Sequence, residues 1–336
     1  MIREKCSSAC QENKKILVGI TEPGYADHSV EAEILASVGA EVRILKWDGD
    51  RSKLLAMLDG LDIVMVRDIP VLDAEAIARL KEGGGIVRYG VGVDTIDLDA
   101  AKKRGIKVAN VPDYGANIEV ADHAAALTLA LVRRIVTRDE QVKNGQWNIA
   151  QKEPMYRIAG STLGLVGFGK IARAYLERMR GFGIGDVLVY DPFITDEFAA
   201  QFGAKRASFE EICRNARIIS LHAPATPETR NIVNASTLAL MNEKTCIVNT
   251  SRGGLVDTVA LAEALKARKI FGAALDVLDQ EPITADCPLS NLDNVILTDH
   301  TGWYSEASVR SIQEKAAQAA VEILTTGVPT NWVNKF

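Results

Sequence analysis

The chain has 336 residues, a length that suggests about two domains of ~150 residues and excludes a small scaffold stapled by disulfides. Apolar residues make up 47% and charged residues 25%, the composition of an ordinary globular protein. With 39 basic and 44 acidic residues the net charge is −5, and no stretch carries the basic footprint of a nucleic-acid binder.

The longest apolar run, Ala124 to Val132, is nine residues, far short of the ~20 that span a bilayer. The opening MIREKCSSACQENKK has no apolar signal-peptide core, so no membrane partner is expected. Five scattered cysteines, Cys6, Cys10, Cys213, Cys246 and Cys287, suggest a reduced, cytoplasmic protein. Cys6 and Cys10 fall in a tail expected to be disordered and lack further ligands, so no metal is expected.

From residue 16 to about 300, short β-branched runs alternate with amphipathic segments, which predicts an α/β protein with parallel sheets. Strands are expected at 16–20, 42–45, 63–66, 86–88 and 107–109. Asp50 and Asp97 are placed to cap the helices that stop at Gly60 and Gly105. Gly83-Gly84-Gly85 reads as a flexible turn. After the turn-rich Val111 to Gly115, helix-favouring sequence runs from Ile118 to Asn144 and predicts one helix of about 27 residues at a domain or subunit boundary. A second series follows, with strands near 162–166, 187–190, 218–221, 245–249, 272–275 and 295–297. Six strands make a complete dinucleotide-binding sheet. A last helix is expected after Ser305 as its cap, ending near Gly327.

Within Thr162-Leu-Gly-Leu-Val-Gly167-Phe168-Gly169-Lys170-Ile171-Ala172, a strand runs through G-x-G-x-x-A into a helical pattern. Gly167 allows the tight turn, Gly169 a close approach to pyrophosphate, and Ala172 close helix packing. The phosphates would sit on the helix N-terminus around Phe168 to Ile171. Asp191, nineteen residues past Ala172, ends the next strand, where an acid binds both ribose hydroxyls and repels a 2′-phosphate; NAD is therefore expected over NADP. Gly164 to Lys170 also spells the start of a P-loop, but Ile171 stands where a Mg²⁺-binding Ser or Thr is required.

Arg252, Glu281 and His300 each follow a predicted strand in the second half, where ligands bind in open α/β sheets. An Arg can hold a carboxylate bidentately, and a His oriented by an acid can move a proton. His28, His123 and His222 are read as structural. The three residues, spaced by 29 and 19, match the catalytic Arg, Glu and His of the D-isomer-specific 2-hydroxyacid dehydrogenases. The chain resembles that family over nearly its whole length. The runs Ile86 to Gly92, Asn110 to Pro112, Gly253 to Asp257 and Trp303-Tyr304-Ser305-Glu306 are most similar to its C-terminal-binding-protein branch.

The resemblance implies two doubly wound, Rossmann-like domains: a discontinuous flavodoxin-like substrate domain, 1–112 plus 303–336, and an inserted NAD-binding domain, 113–302. It implies that His300 exchanges the hydroxyl proton of a small 2-hydroxy or 2-oxo acid, that Glu281 orients it, and that Arg252 holds the carboxylate with N–H groups near Val91 and Gly92. It adds Arg88 as a second cation and Trp303 as a pocket wall. It places Ala223, Pro224 and Thr229 around the pyrophosphate and adenosine, and Thr250 and Ser251 near the nicotinamide ribose. Asp276 falls at the carboxamide, and Arg252 and His300 lie beside the nicotinamide. It also implies a homodimer through the long helix. Three other readings stay open: an NADH-responsive binding protein like the branch's eukaryotic corepressors, a phosphoglycerate dehydrogenase, and, more remotely, a formate or phosphite dehydrogenase. Asp299 departs from the family pattern, which has a Pro before the catalytic His.

Overall fold

The computed structural model describes residues 15–21, 24–147 and 153–336; Cys6, Cys10 and the tail expected around them lie outside these. The described residues form two compact units. One holds those within Met1–Gly115 together with Glu306–Phe336, and the other is Ala116–Ser305. The divisions fall three residues later than the expected 112/113 and 302/303.

The first unit begins β1 (Ile16–Ile20), α1 (Ser29–Ala36), β2 (Ala40–Ile44), α2 (Arg51–Leu58), β3 (Ile63–Val66), α3 (Ala74–Ile77), β4 (Gly85–Arg88), α4 (Leu98–Lys103) and β5 (Lys107–Asn110). Its sheet is all parallel in the order β2-β1-β3-β4-β5, the flavodoxin-like order that reverses between β1 and β3. β3 and β4 are buried along their whole length, as strands covered on both faces must be. Asp50 accepts from the N–H groups of Ser52 and Lys53, and Asp97 from that of Ala100, satisfying donors that a helix start leaves open.

Of the glycine triplet only Gly83 lies in the turn expected, with φ 73 and open space around it. A Cβ on Gly84 would meet the Asp62 carbonyl at 2.3 Å, and Gly85 already belongs to β4. Close packing excludes side chains at Gly84 and Gly85.

The second unit runs α5 (Ala116–Val132), α6 (Ile135–Lys143), β6 (Leu163–Val166), α7 (Lys170–Arg180), β7 (Val187–Tyr190), α8 (Asp196–Gln201), β8 (Lys205–Arg206), α9 (Phe209–Asn215), β9 (Ile218–Leu221), α10 (Ala235–Leu240), β10 (Cys246–Asn249), α11 (Thr258–Lys266), β11 (Gly272–Leu275) and β12 (Val295–Leu297). Its seven parallel strands lie in the order β12-β11-β10-β9-β6-β7-β8. This is the dinucleotide-binding order, reversing between β6 and β9, with one added edge strand. Side chains alternate between two apolar layers: Val166, Ile219 and Ile247 enter one, and Leu165, Ile218 and Val248 the other.

Two expectations are corrected here. The sheet has seven strands, not six, because the two-residue β8 pairs with Leu188 and Val189 without any apolar run to announce it. The single helix over 118–144 is two helices. Arg134 is left-handed, with φ 52, and its guanidinium lies 4.6 Å from the Phe271 ring centroid and 3.5 Å from Glu153. Those contacts require the chain to turn where the apolar pattern ends, and α6 buries none of its residues.

The chain returns to the first unit as α12 (Glu306–Thr325), directly after Ser305. A fully buried carboxylate, Glu31 of α1, fixes it there. Glu31 accepts from the Tyr89 hydroxyl at 2.8 Å, from Gln313 Nε2 on α12 at 3.0 Å, and lies 3.3 Å from His28 Nδ1. Burial and this carboxylate both push the Tyr89 hydroxyl well above its ordinary pKa, so it stays a donor. No helix among the described residues is long and apolar enough to cross a membrane.

Candidate active site

The glycine loop lies at the reversal of the second sheet. Gly167 has φ 85, a left-handed conformation that favours glycine, and a Cβ there would stand 2.8 Å from His222 and Ala223 backbone atoms at the end of β9. A Cβ on Gly169 would meet nothing within 4 Å. The first turn of α7 has no side-chain cap, which leaves its N–H groups and dipole turned to the loop, with Lys170 exposed, Ile171 half-buried and Ala172 buried. Phe168 is buried, with its ring edge-on to Phe202 at 5.5 Å, so its side chain anchors the loop.

Asp191 caps β7 and bridges two backbones: Oδ2 accepts from the Phe168 N–H at 2.8 Å and Oδ1 from the Phe193 N–H at 2.9 Å. In the loop after β9, the Thr229 hydroxyl donates to the Pro224 carbonyl at 2.7 Å, which closes the turn that begins at Ala223. His222 Nε2 lies 2.9 Å from Ser220 Oγ, and burial lowers its pKa to about 3.

After β10, the buried Asn249 organises the next loop. Its Oδ1 accepts from the Ser251 N–H at 3.0 Å and hydroxyl at 2.9 Å, and its Nδ2 donates to the Arg252 carbonyl at 2.8 Å. Arg252 Nη1 donates to the Ser251 carbonyl at 2.7 Å. Gly253 then presses on the loop after β11: a Cβ would lie 1.9 Å from the Leu278 carbonyl carbon. That second loop carries Glu281, whose Oε1 accepts from the Leu278 N–H at 2.9 Å and whose Oε2 lies 2.7 Å from His300 Nδ1. β12, β11 and β10 are consecutive in the sheet. Arg252, Glu281 and His300 therefore come from three neighbouring strand ends, and Glu281 and His300 are directly hydrogen-bonded.

His300 has φ 56, a left-handed backbone that costs a non-glycine residue roughly 1–3 kcal/mol. Asp276 holds it. The His300 N–H donates to the Asp276 carbonyl at 2.8 Å, the Thr301 N–H to Oδ1 at 3.0 Å and the Gly302 N–H to Oδ2 at 2.9 Å. The Thr298 hydroxyl donates to Oδ1 at 2.6 Å, and His123 Nε2 lies 3.3 Å from the same oxygen. Burial alone would raise the Asp276 pKa; the hydrogen bonds of His123, Thr298 and Gly302 outweigh it and bring it down to about 2. Trp303 follows, edge-on to Tyr304 at 5.8 Å between centroids.

The first unit holds the other substrate residues named from sequence. Arg88 is buried and pairs with Asp68 and with the Tyr89 carbonyl. The next carbonyls are also turned inward: Gly90 accepts from the Val111 N–H at 2.9 Å and Val91 from Asn110 Nδ2 at 2.7 Å. Among the described residues, the N–H groups of Val91 and Gly92 have no hydrogen-bond acceptor. A loop with its carbonyls engaged and its N–H groups free suits an anion.

A family model described as D-isomer specific 2-hydroxyacid dehydrogenase, NAD binding domain, matches residues 125–302. The D-3-phosphoglycerate dehydrogenase of Methanocaldococcus jannaschii is 37% identical over 321 residues, 95% of this chain. The chain belongs to the D-isomer-specific 2-hydroxyacid dehydrogenase family. It spans 59% of that relative's length, whereas it covers 80% of the glyoxylate reductase of Korarchaeum cryptofilum, to which it is 38% identical over 79% of its own length. Among solved structures of the family, D-lactate dehydrogenase of Aquifex aeolicus complexed with NAD and lactic acid has a TM-score of 0.83 at 29% identity, covering 95% of this chain and 99% of that one.

Three residues of this family member escaped sequence reasoning. Asn249 could have been read from Asn-x-Ser at a strand end, an Asx-turn pattern. Asn110 lay unused inside a motif. His123 carries no local signal, since its partner Thr298 is 175 residues away.

Proposed function

We propose that the protein is an NAD-dependent oxidoreductase that interconverts a D-2-hydroxy acid and its 2-oxo acid. The 2.7 Å hydrogen bond between His300 and Glu281, on the strand end beside that of Arg252 and Gly253, carries this reading. His300 takes the hydroxyl proton in oxidation and returns it in reduction, while Glu281 orients the ring and stabilises the imidazolium. Arg252 holds the carboxylate and polarises the 2-oxo oxygen where negative charge develops. In the first unit, Arg88 and the N–H groups of Val91 and Gly92 are assigned to the substrate carboxylate, and Trp303 in the second to the pocket wall.

The residues at the second sheet's reversal fit a dinucleotide. The uncapped α7 start and the open side of Gly169 suit a pyrophosphate. Thr250 Oγ1 and His222 Nδ1 are buried without a hydrogen-bond partner, and such atoms call for one. Phe168 to Ala172 and Ala223, Pro224 and Thr229 would hold the phosphates and adenosine, Asp191 the ribose, Thr250 and Ser251 the second ribose, and Asp276 the carboxamide. Bound NAD supplies the hydride acceptor for C2. The carboxylate of Asp191 supports NAD over NADP.

Small 2-oxo acids are the substrates to test first, glyoxylate beside 3-phosphohydroxypyruvate and pyruvate, by NADH oxidation. His300→Gln should lower turnover by about 10²- to 10⁴-fold; turnover of none of these acids by the native chain would overturn the reading. Ile135, Val136 and Val142 are exposed apolar residues on α6 and support a homodimer, which light scattering tests; a monomeric mass contradicts it.

A further inference from the structure

His123 stands on α5, outside every role assigned above, and is half-buried against the loop that carries His300. Its Nε2 lies 3.0 Å from Thr298 Oγ1 and 3.3 Å from Asp276 Oδ1. The Thr298 hydroxyl gives its hydrogen to Asp276, so it can only accept from His123. The ring nitrogen Nε2 therefore carries a hydrogen, shared between the hydroxyl and the carboxylate. The same ring lies under Gly302, where a Cβ would stand 3.2 Å from His123 Cδ2 and 2.9 Å from Asp276 Oδ2.

We propose that His123 is a positioning residue for the proton-transferring His300, acting through Thr298 and Asp276. The two donors fix the rotation of the Asp276 carboxylate. That carboxylate, with its own carbonyl, is the acceptor for three consecutive N–H groups, those of His300, Thr301 and Gly302. The left-handed backbone at His300 depends on those three hydrogen bonds, and its ring reaches Glu281 only from that backbone. Without the His123 donor the Thr298 hydroxyl and the buried Asp276 carboxylate lose a partner on the α5 side, the loop relaxes, and the imidazole shifts from its bond to Glu281. A displacement of about 1 Å at a reacting group is enough to cost ~10²-fold in rate.

The inference rests on His300 as the proton-transferring residue, so the test has a readout that needs no turnover. His123→Leu removes the donor, and His123→Gln restores an N–H near the Nε2 position. Each is compared with the native protein and His300→Gln, using glyoxylate and NADH. The chain has four histidines, so the His300 imidazole signal in NMR is assigned by its loss in His300→Gln. We expect His123→Leu to lower kcat by about 10- to 100-fold, with the KM for glyoxylate within about twofold, and to displace the His300 signal. His123→Gln should recover most of the kcat and the native signal. Equal losses in both variants, or a native kcat and an unmoved His300 signal in His123→Leu, overturn the proposal. If the native protein reduces no 2-oxo acid, the functional reading fails, and the NMR signal alone decides the positioning role. If His123→Leu does not fold, Thr298→Val breaks the same chain of hydrogen bonds and is held to the same outcomes.

Discussion

Gly253→Ala should separate the Arg252 loop from the Glu281 loop. The new Cβ would lie 1.9 Å from the Leu278 carbonyl carbon, 2.0 Å from its oxygen and 2.3 Å from the Asp279 nitrogen. These are backbone atoms that cannot rotate away. Ordinary contact starts at 3.4 Å, so the loops must part by about 1.5 Å, more than the ~1 Å misplacement that costs 10²-fold in rate. The displaced Leu278 N–H is the donor to Glu281 Oε1, so Glu281 moves with it and kcat should fall at least ~100-fold. Overpacking of this kind costs about 1–3 kcal/mol. In a unit of roughly 190 residues that lowers Tm by about 2 to 12 °C. Steady-state NADH oxidation and calorimetry read both effects. Gly254→Ala is the control, since its Cβ would meet Asp279 Oδ1 at 3.4 Å. A Gly253→Ala protein with kcat within threefold of native and an unchanged Tm would refute the reasoning.

Acid should weaken the second unit through His222. Burial lowers its pKa to about 3 from the ordinary 6.5, so the unfolded chain takes up a proton that the folded one refuses. Stability held above pH 6.5 is lost on acidification, by about 2 kcal/mol at pH 5; urea unfolding at the two pH values should show it, and the loss should shrink in His222→Leu. Glu31→Ala leaves the buried Tyr89 hydroxyl without its carboxylate acceptor and the Gln313 amide with only the Asp27 carbonyl, and should cost about 3 kcal/mol by calorimetry; a loss under ~1 kcal/mol contradicts the buried network. Asp191→Ser removes the charge facing a 2′-phosphate and should shift the NADH:NADPH ratio of kcat/KM at least about tenfold towards NADPH; an unchanged ratio contradicts the assignment of Asp191.

Much of the fold was legible because parallel strands buried on both faces are short continuous apolar runs. Ile63 to Val66 is of this kind, and Ile218 to Leu221 and Cys246 to Asn249 depart from it at one polar residue each, Ser220 and Asn249. β8 was not, because Lys205 and Arg206 have no apolar signature and pair only at an edge. The break at Arg134 was hidden for a different reason. Neither glycine nor proline marks it, and its cause, the Phe271 ring and Glu153, is distant in sequence. In the site, motif residues at strand ends could be named, since strand ends are where such sheets bind ligands. The supporting residues were not, because hydrogen bonds such as His123 to Thr298 join segments that no spacing relates. Gly253 was read as part of a family motif, but the reason it must be glycine is the Leu278–Asp279 peptide on another loop.

The discontinuity of the first unit sets an order of events during synthesis. Its sheet is complete once β5 has emerged, but Glu31, Tyr89 and Gly85 wait for α12, whose Gln313 and Ile323 complete their surroundings. Roughly 190 residues separate Gly115 from Glu306, and at about 5–20 residues per second the delay is some 10 to 40 s. The second unit is continuous and needs no later segment of this chain. On the ribosome it can fold while the first is still a sheet with an uncovered face and a Glu31 carboxylate lacking its Gln313 donor. That interval is when the nascent chain is most exposed to aggregation and most dependent on chaperones.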